Sequence, residues 1–252
     1  MAISRIVVNW QVVWSNKLTH KVAKNMFPQW RKPEIIFVIW SILALALLLP
    51  VTVLLRGSFP VLTVLWIIVP LVVVIKTKDA GRVGFRALSW RECARVTAIN
   101  LAGLLVVMLI FEPWSHTYQK LLEAVLSNQT PDTTFAWLVR FQRIPALAAM
   151  FFYSGLITLF GEELFFRGWL LQLFRRRWGT SRAIVIQAVL FVIPNLLAAL
   201  FLPVLQGFLY ALIYTWLAIG MIGGWAASRT SSIWPSLISA TVCNFVLVAL
   251  LV

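Results

Sequence analysis

From Ala183 to Ser228 the sequence contains no Asp, Glu, Lys or Arg, and beyond Arg229 none appears up to residue 252. Helices drawn from such a stretch would have no charged face to turn toward water. They suit a lipid exterior, where about 20 apolar residues cross the hydrocarbon core. The rest of the chain has the same character. It is 61% hydrophobic and 12% charged, with a mean hydropathy of +0.90, against a charged fraction of about 25% in soluble domains. Backbone groups in lipid must be satisfied within their own segment, which favours helices. The expected fold is therefore an all-α, polytopic membrane helix bundle.

Seven transmembrane helices are expected, at 35–55, 59–75, 96–112, 144–173, 182–202, 206–226 and 233–252. Trp90, Trp114, Trp137, Trp178 and Trp234 fall near their ends, where indole rings favour the interface. In residues 1–33, Ile3, Ile6, Val7, Trp10, Val13 and Trp14 recur at helical spacing and are followed by lysines and arginines. This pattern fits an N-terminal amphipathic helix lying in the interface, with a loosely ordered basic tail as the alternative. Three segments result: 1–33, then 34–143 with three spans and an outer loop, then 144–252 with four.

The net charge of +14 raises the possibility of a nucleic-acid partner. Its distribution argues against one, because the basic residues flank the apolar runs and suit anionic lipid headgroups. Segments on one side of the expected topology hold 17 Lys and Arg, those on the other side 4. The positive-inside bias then puts the N-terminus in the cytoplasm and the C-terminus outside. The membrane is a cell membrane or an internal photosynthetic one. The outer segment 113–143 contains YQKLLEAVL, a short amphipathic helix. No cleavable leader pattern is present. Cys93 and Cys243 lack the spacing of a disulfide framework or a thiolate metal site.

Within the fourth span lies GEELFFRG, residues 161–168. Ions in a span normally face a partner or a polar cavity, since each costs about 3 kcal/mol to insert. Glu163 and Arg167 are four residues apart with the acid first, the order that favours a local ion pair. Glu162 is rotated about 100° away, off the face that this pair shares. It can stabilise a contact between helices, or act as a general base in a cavity. Other polar residues in the spans also have structural readings. Asn195 follows Pro194 and can satisfy a freed carbonyl or bridge to another helix. The small residues of GMIGGW, 220–225, suit close helix packing.

EELFFR matches the EExxxR signature and resembles the CPBP family, also called the CAAX protease and bacteriocin-processing or Abi family of intramembrane endopeptidases. Phe191 matches the start of that family's FxxxH motif, and SSIWPSLISATVCN, residues 231–244, resembles its third motif. The resemblance covers about residues 144–252. It implies that Glu162 is the base, that Glu163 and Arg167 brace it, and that Asn244 completes a polar site. In the family, histidines of the second and third motifs join the first Glu to hold a metal or an activated water. Here Asn195 and Ala240 stand at those two positions, and the chain's two histidines are His20 and His116. Glu162 with a neutral Asn falls short of the three protein ligands of a catalytic zinc site, and Cys243 alone does not restore the set. No metal or other cofactor is expected. Two readings stay open from the resemblance. One is a degenerate, non-catalytic member acting as a scaffold, assembly or regulatory factor for another membrane protein. The other is an active endopeptidase with Glu162 as general base. A third reading, a transporter or channel, would predict repeats and broken helices, and none is visible.

Overall fold

Ser89 is extended, and its hydroxyl accepts the Glu92 N–H at 3.2 Å, which starts a helix where the sequence changes from loop to SWRE. That helix, α2, is Trp90–Ser115 and is longer than the span expected from the apolar run alone. The computed structural model describes residues 61–126 and 160–251, all within the unit Leu45–Val252. The expected interfacial helix, the first span, the loop 127–143 and the beginning of the fourth span lie outside the described residues.

The elements among the described residues are all helices, and those residues contain no strand. Preceding α2 is α1, Val61–Thr77, and a short turn at Ala80–Val83. After α2 come α3, Thr117–Leu126; α4, 160–178; α5, Thr180–Leu200; α6, Val204–Thr230; and α7, Trp234–Leu251. The amphipathic helix expected in the outer segment is α3. Two of the described helices, Trp90–Ser115 and Val204–Thr230, are long and apolar enough to cross a membrane. Shorter apolar stretches lie in α1 and α5.

Packing explains the small residues in α6. A Cβ on Gly220 would lie 2.9 Å from the Ala188 Cβ, so α5 and α6 approach as closely as their backbones allow. On the other side of α6, Tyr214 and Ala218 join Leu104, Val107 and Met108 of α2 and Cys243 of α7 in one apolar cluster. Outward faces are also apolar. Val185, Val189, Leu196 and Leu200 form an exposed stripe along α5, and Ile99, Val106, Leu109 and Ile110 are exposed on α2. Apolar surface this extensive is rare on a soluble monomer and fits lipid contact.

The connections sort to two ends. At one end, the Ile233 N–H donates to the Gly84 carbonyl at 3.1 Å, and the Ser232 hydroxyl to that of Arg86 at 3.3 Å. There Arg175 Nη1 also donates to the Ser228 carbonyl and the Ser231 hydroxyl, at 2.9 and 2.8 Å. At the other end, Gln206 Nε2 donates to the Ser115 carbonyl at 3.1 Å. The basic segments around residues 82–91, 175–182 and 229 thus gather at a common end, away from the α2–α3 corner.

Candidate functional site

The helical turns of EELFFR widen in the folded chain. Residues Glu163–Leu170 form wide, π-type turns between α-helical ends, and all eight are buried. Such turns are rare and concentrate at functional sites. The segment is packed on every side. Gly168 shows how tightly, since a Cβ there would lie 2.4 Å from the Val83 carbonyl oxygen. Glu163 and Arg167 sit in this layer at 2% and 0% exposure, with Oε1 and Nη1 3.3 Å apart. Ser236 of α7 donates to the other carboxylate oxygen at 2.5 Å. Arg167 Nη2 donates to the Ile219 carbonyl of α6 at 2.8 Å, and its guanidinium lies 4.0 Å from the centre of the Phe191 ring on α5. One ion pair thereby joins four helices.

Glu162, one residue earlier, keeps partial exposure while Glu163 has almost none. The two adjacent carboxylates thus occupy different environments. Only Glu163 belongs to the layer formed with Ser236 and Arg167.

The two asparagines named from the sequence lie farther along the bundle, and each meets a tyrosine. Asn195 Nδ2 donates to the Phe191 carbonyl at 2.9 Å, and its Oδ1 accepts from the Tyr210 hydroxyl at 3.3 Å. Both structural readings of Asn195, carbonyl capping and bridging to another helix, are realised together. Asn244 Oδ1 accepts from the Tyr118 hydroxyl at 2.5 Å. Tyr214, one helical turn from Tyr210, donates to Glu112 Oε2 at 2.6 Å. Glu112 also accepts the Tyr118 and Gln119 N–H groups at 3.0 Å, so its carboxylate caps the N-terminus of α3.

Sequence reasoning did not single out Glu112, Tyr118, Tyr210, Tyr214 or Ser236. One signal was available: the chain has four tyrosines, and three of them converge here. The pairing of Tyr118 with Asn244 spans 126 positions, a separation that no local pattern encodes. Nearer the Glu163 layer, Asn100 of α2 donates to the Ser239 hydroxyl of α7, adjacent to Ala240.

The donor set can be compared with what a metal of the family's type would need. Ala240 presents a methyl group and is 9% exposed. The Asn195 amide is engaged at both ends. Cys243 is held within the apolar cluster of α2 and α6, and His116 is exposed at the α2–α3 corner. Among the described residues, no three His, Cys, Asp or Glu side chains come close enough to hold a metal ion. These residues do not fit a three-ligand site. His20 lies outside the described residues.

Comparison with known families agrees with the sequence motifs. Residues 144–246 match the Rce1-like family, described as type II CAAX prenyl endopeptidase Rce1-like. No curated protein matches the chain, and no solved structure does. The matched region begins before the described part of α4 and ends in α7, enclosing the Glu163–Arg167 layer, Asn195 and Asn244. Across those residues the protein is CAAX protease-like.

Proposed function

We propose that the protein is a non-catalytic member of this family, serving as a scaffold, assembly or regulatory factor for another membrane protein. The observation that carries this reading is the state of the two positions where the family places histidine. Asn195 is tied into internal hydrogen bonds, and Ala240 has no donor atom. A neutral amide cannot take a proton from water near pH 7. The Tyr118 bond to Asn244 supports the same view, since it engages the residue that the family resemblance assigns to the polar site. Glu163 and Arg167 then hold a polar layer within a helix bundle, with Glu162 beside it, and the bundle works without a metal ion.

The proposed topology is multi-pass, with seven spans, a cytoplasmic N-terminus and an outer C-terminus. Gathering of the basic connections at a common end supports this orientation. Membrane lipids and another membrane protein are the proposed partners, and nucleic acid is not one.

Metal affinity tests the catalytic part without a substrate. Asn195→His with Ala240→His should bind zinc, measured by titration calorimetry in detergent, where the parent does not. Specific peptide cleavage by the parent that Glu162→Gln abolishes would overturn the proposal. Glu162 would then act as general base in an endopeptidase that does not need the family's histidines.

A further inference from the structure

At the end of the bundle where the basic segments meet lies an open cleft of about 640 Å³. Arg86, Arg175, Arg176, Gln172 and Ser231 line it, with Phe85 at one side. Arg175 is fixed in place, because its Nη1 bridges the Ser228 carbonyl and the Ser231 hydroxyl. Arg86 and Arg176 are exposed, and neither side chain has a partner among the described residues. The acid in the lining, Asp79, lies 3.4 Å from Arg82 and accepts the Gly81 N–H at 2.9 Å. It is therefore partly neutralised. The cleft retains a surplus of positive charge.

Gln172 gives a second, independent indication of a ligand. Its side chain is 7% exposed, and the buried Nε2 has no hydrogen-bond partner. Buried amide donors are normally satisfied, and here an acceptor brought into the cleft would do so. Guanidinium groups beside an amide donor suit phosphate, whose oxygens accept paired N–H bonds from arginine. The rings of Phe85 and Trp234 stand 6.0 Å apart beside this cleft, and Trp90 is 81% exposed at the same end. Aromatic side chains in that setting mark the level of lipid headgroups.

We infer that this cleft binds a phosphate group, presented by the headgroup of an anionic phospholipid. Basic pockets between helices on the cytoplasmic side of a membrane are suited to such headgroups. The inference takes from the proposed topology only which leaflet supplies the lipid. It is independent of the metal-binding result at Asn195 and Ala240.

Native mass spectrometry of the full chain tests it, with phosphatidylglycerol and phosphatidylcholine offered in equal amounts in detergent. The parent should retain phosphatidylglycerol in preference. Arg86→Gln with Arg176→Gln should weaken that retention by about ten-fold or more, as expected for loss of charge-assisted hydrogen bonds to the phosphate. Arg91→Gln with Arg229→Gln removes the same charge from exposed residues outside the cleft, and retention should stay within about two-fold of the parent. Gln172→Leu should weaken retention about ten-fold, as expected for loss of a hydrogen bond to a charged acceptor. Displacement of the lipid by millimolar inorganic phosphate, with the same variant ranking, would support the phosphate chemistry and place its source in solution. Equal retention of the two lipids, or equal loss from the two double variants, would overturn the inference.

Discussion

Arg167→Ala offers a quantitative test of the buried layer. The substitution removes a guanidinium that is 0% exposed, lies 3.3 Å from Glu163 and donates to the Ile219 carbonyl at 2.8 Å. It leaves the Glu163 carboxylate, itself 2% exposed, with the Ser236 hydroxyl as its one partner among the described residues. Breaking a buried pair from one side costs about 3–5 kcal/mol, since the remaining charge is uncompensated. Ser236→Ala removes one hydrogen bond to a charged acceptor and should cost about 1.5–3 kcal/mol. Glu162→Ala, at a partly exposed position, should cost about 1 kcal/mol or less. Glu163→Leu with Arg167→Met replaces the pair by apolar side chains of similar volume, and should cost less than Arg167→Ala alone. The assay is equilibrium unfolding in mixed micelles, followed by circular dichroism across a detergent titration. If Glu162→Ala costs as much as Arg167→Ala, or if the double variant costs as much as Arg167→Ala alone, the layer is not held by this ion pair.

Three further outcomes are expected. Gly168→Ala should lower stability by about 1–3 kcal/mol in the same assay, because the new methyl would meet the Val83 carbonyl at 2.4 Å. With Cys93 and Cys243 replaced by Ser, cysteines introduced at Asn128 and Thr180 should react with impermeant reagents from opposite sides of the membrane, and labelling from the same side would refute the topology. Tyr118→Phe should cost about 0.5–1.5 kcal/mol and raise hydrogen exchange in α3, through loss of its bond to Asn244. Unchanged exchange there would mean that the bond does not anchor the helix.

Interactions within one or two helical turns were legible in the sequence. The four-residue spacing of Glu163 and Arg167 indicated their contact, and the small residues at 220–225 indicated close helix packing, whose partner the structure shows to be α5. Asn195 was readable in the same way, because a side chain that caps the carbonyl four residues back needs nothing distant. The length of α2 was not readable from hydropathy. Arg91 and Arg95 continue the helix past the apolar run, and its start is set by the Ser89 cap. Nor were the wide turns at 163–170 readable, since the four-residue spacing of Glu163 and Arg167 suits an ordinary α-helix equally well. The tyrosine contacts join α2, α3, α5, α6 and α7 across separations of 15 to 126 positions, so they depend on tertiary arrangement.

The Tyr118 bond to Asn244 also gives the short helix α3 a mechanical role. Glu112 fixes one end of α3 to the last turn of α2, and Tyr118 fastens its first turn to α7. A pull on α3 is therefore a pull on the third-motif asparagine, with little slack between them. Any binding partner that levers α3 away must break that bond. A force applied at this end of the bundle reaches the family's motif through a linkage two side chains long.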